Sequence, residues 1–181
     1  MFLYKNLHFD CQAEITQQLL QIAEEFNSEL YKTKVFDLEL IKTRVPRLHE
    51  QFVNMNLHVE VFREYVSQPF DGIKIHNDGT PEFPKYLALN WPIFNCENTK
   101  MIWWQLDADA PVAEHTVDVG FAKHNTLLFY SEQHAIKLDE HEIVSPTLVN
   151  VKQYHSVQNG AKIRRMVSFR FRPEPLHLLN T

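Results

Sequence analysis

The first part of the chain has hydrophobic positions that follow a helical period. Between about Glu14 and Leu30, apolar residues recur at steps of three and four, and Gln17, Gln18, Glu24 and Glu25 lie on other faces. This pattern predicts one amphipathic helix laid against the outside of a sheet. From Tyr31 to Gln51 the pattern is mixed and is interrupted by Pro46, so the secondary structure there stays open. The predicted apolar stripe consists of Ile15, Leu19, Ile22, Phe26 and Leu30.

From residue 57 onward the pattern changes to short runs rich in β-branched and aromatic residues, separated by turn residues such as Asn159-Gly160. Eight such runs are about what two facing four-stranded sheets require. The expected fold class is mainly β, a double-stranded β-helix (jelly roll, cupin-like) with N-terminal helical packing. The candidate strands are Leu57–Tyr65, Ile73–His76, Tyr86–Phe94, Met101–Leu106, Thr116–Phe121, Thr126–Tyr130, Thr147–Val151 and Ile163–Phe171.

Length and composition are those of an ordinary globular protein. A chain of 181 residues with 44% hydrophobic residues favours a single domain, 1–181, with a helical part at about 1–52 and a β core at about 57–172. The net charge of −5 gives no general attraction to nucleic acid or anionic membrane. With no basic-then-apolar start and no apolar run of about 20 residues, we expect a soluble, cytoplasmic protein without nucleic-acid or membrane partners.

Two His-x-acid pairs are candidates for metal binding. In an extended strand, residues two apart point to the same face, so His76 and Asp78 can close on one ion from one side. Ten His and 23 acidic residues are enough for such a pair to arise by chance, and a second occurs at His58 and Glu60. That second pair lies in mid-strand, where a solvated or cross-strand role is simpler. His76 and Asp78 precede Gly79 at a turn, where a site can open at the rim of a sheet.

A second group of polar residues lies near the C-terminus. An apolar strand runs into His155, a turn follows at Gly160, and the next strand begins with arginines. By the two-residue period of that strand, Arg164 shares a face with Ser168, whereas Arg165 shares one with bulky apolar residues. An arginine with a hydroxyl further along the same face is suited to binding a carboxylate. A β-bulge would exchange the two arginines.

These residues together resemble the Fe(II)- and 2-oxoglutarate-dependent oxygenase superfamily. The resemblance consists of His76-x-Asp78 early in the β region, a distal His155, an arginine nine or ten residues later, and Ser168 after it. It covers about two-thirds of the chain. The phrase at Leu87–Asn98 with Trp103-Trp104, and the phrase at Tyr154–Asn159, are similar to small microbial and phage members of the prolyl/aspartyl hydroxylase-like branch.

The resemblance implies cofactors and roles. His76, Asp78 and His155 would bind Fe(II) as a 2-His-1-carboxylate set that leaves the opposite face of the metal open. The co-substrate 2-oxoglutarate would chelate the metal beside O2, and Arg164 or Arg165 would hold its far carboxylate. The superfamily also implies carboxylate or keto-acid contacts for Tyr65 and Asn90.

Other features have simpler explanations at this level. Tryptophans in short alternating strands are more often core than substrate platforms, and only one of Trp103 and Trp104 can face inward. The acidic run Asp139–Glu142 is expected to form a solvated loop, and Cys96 a packed thiol. Arg170 and Arg172 are either surface charges or contacts for an acidic substrate.

Two other functions remain open at this level. A cupin-like metalloenzyme that does not use 2-oxoglutarate would keep the metal ligands and need no arginine. A non-catalytic jelly-roll binding module would use the two histidines only as polar core residues. The substrate of an oxygenase is not specified, and candidates include a prolyl, asparaginyl or aspartyl side chain, a free amino acid or another small metabolite. The oligomeric state is equally open.

Overall fold

A computed structural model describes residues 1–26, 33–78, 87–117 and 126–179. The helices are α1 (Gln12–Glu25), α2 (Glu39–Arg44) and α3 (Pro46–Asn54). The strands are β1 (Tyr4–Asn6), β2 (Thr33–Phe36), β3 (Val59–Ser67), β4 (Gly72–His76), β5 (Leu87–Phe94), β6 (Lys100–Leu106), β7 (Val112–Val117), β8 (Thr126–Tyr130), β9 (Ala135–Glu142), β10 (Thr147–Asn150), β11 (His155–Gln158) and β12 (Arg164–Phe171).

The strands form two antiparallel sheets. The first sheet has the order β1-β10-β5-β12-β3-β2, and the second sheet has the order β7-β8-β4-β11-β6-β9. From β3 to β6, and again from β9 to β12, successive strands alternate between the sheets. Four strands of each sheet, β10-β5-β12-β3 and β4-β11-β6-β9, therefore make a double-stranded β-helix, and the fold class predicted from the sequence is confirmed.

The helices cover the outer face of the first sheet. In α1 the buried residues are Ile15, Leu19, Ile22 and Ala23, the spacing of one helical face, and they join a cluster with the outward side chains of β5 and β12. Trp91 of β5 donates a hydrogen bond from Nε1 to the Thr16 hydroxyl at 2.8 Å. The helical prediction is confirmed over Gln12–Glu25, and residues 27–30 lie outside the described part.

The space between the sheets holds a second apolar cluster that includes Met101 and Trp103 from β6 and Met166 from β12. Trp104 points to the other side of the second sheet, where it is buried with Ile75 and Ile102. Only one of the two adjacent tryptophans therefore faces the interior between the sheets, as the strand period requires. No helix within the described ranges is long and apolar enough to cross a membrane.

Several strands were not predicted, because tertiary pairing rather than local pattern creates them. The run Asp139–Glu142 belongs to strand β9, so the loop prediction was wrong. It lies at the edge of the second sheet, where its charged side chains pair with charged neighbours, as Glu140 does with Lys100 at 2.6 Å.

Strands β1, β2 and β11 were also missed. Of the predicted strand Thr116–Phe121 only Thr116 and Val117 are described, and Tyr86 and Gly79 also lie outside the described residues.

Candidate metal centre

Two histidines lie directly opposite each other in the second sheet. His76 is the last residue of β4 and His155 the first of β11, and the antiparallel register pairs them. Paired residues project to the same face, so the two imidazoles meet with ring centroids 4.4 Å apart. Both are buried, at 6% and 4% exposure. Ile75 belongs to the cluster with Ile102 and Trp104 on the outer side of the second sheet. Because neighbouring residues of a strand point to opposite faces, His76 points to the interior between the sheets.

Each imidazole is oriented by a backbone carbonyl two residues earlier in the chain. Nδ1 of His76 lies 2.8 Å from the Lys74 carbonyl oxygen, and Nδ1 of His155 lies 2.9 Å from the Gln153 carbonyl oxygen. A carbonyl only accepts, so Nδ1 carries the proton in both rings and the Nε2 lone pair is left for a ligand. Burial and the neighbouring His76 lower the pKa of His155 to about 3, which keeps this ring neutral at pH 7.

Asp78 completes the group from the turn after β4. Its Oδ1 lies 3.6 Å from His76 Nε2. Its other oxygen, Oδ2, accepts a hydrogen bond from Arg170 Nη2 at 2.5 Å. Burial alone would raise the pKa of Asp78, but Arg170 and the two histidines outweigh it and lower that pKa. The carboxylate is therefore ionised at neutral pH.

Within the described ranges, His76, Asp78 and His155 form a group that can hold a metal ion. One donor atom from each lies within 4.8 Å of the other two. Two neutral imidazoles and one carboxylate are the ligand set of the 2-His-1-carboxylate centre, in which the remaining coordination positions stay open. The structure thus brings together the three ligands proposed from the sequence.

Strand β12 supplies the interior face of the first sheet beside this group. Arg164, Met166, Ser168 and Arg170 alternate with residues that pack under the helices, since Val167 and Phe169 lie in the helix-side cluster. Arg164 is 4% exposed, and its hydrogen-bond contact is from Nη2 to the Met166 sulfur at 3.7 Å. Its Nε and the Ser168 hydroxyl are buried without a hydrogen-bond partner among the described residues. Burial lowers the pKa of Arg164, as expected for a cation held away from water.

Arg165 lies on the opposite face of the same strand. Its Nε donates to Glu64 Oε1 at 2.6 Å, and the Glu64 side chain is fully buried. This arginine therefore pairs with an internal carboxylate on the helix side of the first sheet. The structure does not bring Arg165 to the metal group. Of the two arginines, only Arg164 lies on the interior face of β12, the face that is directed towards the second sheet.

Tyr65 of β3 and Asn90 of β5 lie on the same interior face as Ser168, in the two strands beside β12. In the ladder β3-β12-β5, Tyr65 pairs with Met166, and Asn90 pairs with Ser168. The Tyr65 hydroxyl accepts from Arg63 Nη1 at 3.1 Å. Because arginine only donates, the phenol proton can be given to a further acceptor.

Two residues near the metal group were missed by sequence reasoning. Arg170 was interpreted as a surface charge or a contact for an acidic substrate, yet its side chain is only 14% exposed and holds Asp78. The period-two pattern of β12 already placed it on the face of Ser168, but a position near a strand end gave no signal of burial. Phe129, whose ring centroid lies 5.6 Å from that of His76, carried no chemical motif at all.

Comparisons with known proteins give the following results. No family model matches the chain, and no curated protein sequence matches it. Among solved structures, it is similar to AviO1 from Streptomyces viridochromogenes (14% identity, TM-score 0.47, covering 96% of this chain and 91% of that one). It is also similar to a Pseudomonas putida prolyl-4-hydroxylase (9% identity, TM-score 0.47, coverage 94% and 86%). A third similar structure is HygX from Streptomyces hygroscopicus with nickel and 2-oxoglutarate bound (12% identity, TM-score 0.47, coverage 94% and 83%). Because all three TM-scores are below 0.5, these similarities carry no argument about the chemistry of the site. That chemistry rests on the side chains of this chain.

Proposed function

We propose that this protein is an Fe(II)- and 2-oxoglutarate-dependent oxygenase that hydroxylates a protein side chain or a small metabolite. The observation that carries the proposal is that one β-helix contains both a group of three candidate metal ligands and a buried arginine that has no carboxylate partner among the described residues. The triad alone would equally suit a cupin-like metalloenzyme without 2-oxoglutarate. Arg164 favours a co-substrate with a free carboxylate.

The residues fit these groups in their chemistry. His76, Asp78 and His155 supply the nitrogen and oxygen donors that Fe(II) takes. A carboxylate would also compensate the buried guanidinium of Arg164.

In the proposed reaction the chain binds and orients, and the bound groups supply the oxidation. When bound, Fe(II) with 2-oxoglutarate and O2 supplies the chemistry, in which 2-oxoglutarate becomes succinate and CO2 and one oxygen atom enters the substrate. The two imidazoles of His76 and His155 and the carboxylate of Asp78 would hold the metal. Arg164 and the Ser168 hydroxyl would bind the far carboxylate of the co-substrate.

The triad is tested by metal binding and co-substrate turnover. Purified protein should bind one Fe(II) per chain and form succinate from 2-oxoglutarate when O2 is admitted, measured by anaerobic titration and by NMR. His76→Ala should lose both, because it removes one of three donors. His58→Ala is the matched control, since His58 is exposed and belongs to the other His-x-acid pair.

Two results would contradict this proposal in different ways. Equal Fe(II) affinity in His76→Ala and in the parent would exclude the triad. Normal Fe(II) binding without succinate, and without any effect of 2-oxoglutarate on the metal spectrum, would favour a metalloenzyme that does not use this co-substrate.

A further inference from the structure

The three metal-ligand side chains are held in place in two different ways. His76 and His155 lie in paired strands, and a backbone carbonyl fixes each ring. Asp78 lies beyond the end of β4, and its backbone N–H donates to the Val151 carbonyl at 2.8 Å. That bond places the main chain of Asp78 but leaves the rotation of its carboxylate undetermined.

Arg170 provides the contact that orients this carboxylate. It reaches across from the first sheet and donates from Nη2 to Asp78 Oδ2, while Asp78 Oδ1 faces His76 Nε2. Arg170 is itself held, because its Nη1 donates to the Leu87 carbonyl at 3.4 Å and its guanidinium also contacts the Tyr65 hydroxyl. The two oxygens of Asp78 therefore have different partners.

We propose that Arg170 is a positioning residue of the metal centre, which holds Asp78 Oδ2 so that the carboxylate ligates through Oδ1 alone. A carboxylate that binds through both oxygens takes two coordination positions, whereas one oxygen takes a single position. If the proposed function holds, the keto acid and O2 would bind the metal beside the three protein donors, and an Asp78 that bound through both oxygens would leave less room for them.

Outer contacts of this kind have measurable effects on metal sites. Removing a group that orients a metal ligand commonly weakens metal binding by about 10- to 100-fold. Arg170→Met should therefore weaken the binding of Co(II), used as a coloured probe for the site, by about this factor. It should also change the visible d–d bands of the bound ion, because these bands report coordination number and geometry. Arg170→Lys, which retains one cationic donor, should restore part of the affinity.

The matched control is Arg172→Met, two residues further along the chain. Arg172 is paired with Glu60 at 2.7 Å, but its side chain is 73% exposed and contacts no member of the triad. Its Co(II) affinity and spectrum should equal those of the parent. Urea unfolding of each metal-free variant separates a loss of folding from a loss of positioning, and Arg170→Lys carries the test if Arg170→Met does not fold.

The outcomes distinguish this inference from the proposed function. If the parent binds Co(II) and both Arg170 variants retain its affinity and its d–d bands, Arg170 is not a positioning residue and the proposed function is unaffected. If the parent itself binds neither Co(II) nor Fe(II), the proposed function fails and this inference fails with it. Weaker Co(II) binding and an altered spectrum in Arg170→Met, with partial recovery in Arg170→Lys and no change in Arg172→Met, support the inference.

Discussion

The two adjacent arginines of β12 should respond to the same substitution in opposite ways. Arg164→Met removes a buried cation that has no carboxylate partner among the described residues and leaves a side chain of similar apolar volume. Replacing a poorly compensated buried charge by an apolar side chain is often neutral or stabilising, so we expect the metal-free protein to unfold at about the same urea concentration or a higher one. The affinity of the Arg164→Met variant for 2-oxoglutarate should fall.

The size of that loss follows from the contact that Arg164 would make. Hydrogen bonds to charged groups contribute about 1.5–3 kcal/mol, so their loss should make the dissociation constant roughly 10- to 150-fold larger. Arg165→Met should instead lower the stability and leave the affinity for 2-oxoglutarate unchanged, because it removes this partner from the fully buried Glu64. Breaking a buried ion pair costs about 3–5 kcal/mol, and about 2–4 °C per kcal/mol gives a Tm lower by roughly 6–20 °C.

The assay compares both variants with the parent in two measurements. Calorimetric titration of 2-oxoglutarate into protein loaded with Zn(II), which does not support turnover, gives the dissociation constant. Thermal and urea unfolding of the metal-free protein give stability. If Arg165→Met weakened 2-oxoglutarate binding while Arg164→Met left it unchanged, the assignment of faces in β12 would be refuted. A loss of more than about 2 kcal/mol of stability in Arg164→Met would refute the view that its charge is uncompensated.

Two further predictions concern the core and the thiols. Phe52→Ala should cost about 3–5 kcal/mol of unfolding free energy, since Phe52 is 2% exposed and contacts Phe9 and Phe169 edge-on; a urea midpoint equal to the parent's would contradict this packing. Cys11 is exposed and Cys96 is buried, and burial raises the pKa of the Cys96 thiol. A thiol reagent at pH 8 should therefore modify one cysteine rapidly in native protein and the second only after urea is added, and rapid modification of both would contradict the burial of Cys96.

Local patterns were sufficient for features that depend on neighbours within one element. The helical period of Ile15, Leu19 and Ile22 predicted α1 and its buried side. The two-residue period of β12 separated Arg164 and Ser168 from Arg165, because the pleat of a strand determines on which face each side chain lies. A bulge between Arg165 and Met166 relative to β5 did not exchange these faces.

Features that depend on pairing between distant segments were not predictable in this way. β9 has few apolar residues, so only its neighbour β6 makes it a strand. The sequence determined the residue types of a divided site and the face on which most of them lie. Tertiary structure alone decided that His155 starts a strand in register with His76, and that Arg170 is buried against Asp78. A repeat of two residues defines a face, whereas sheet order and register define which faces meet, and these arise from contacts far apart in the chain.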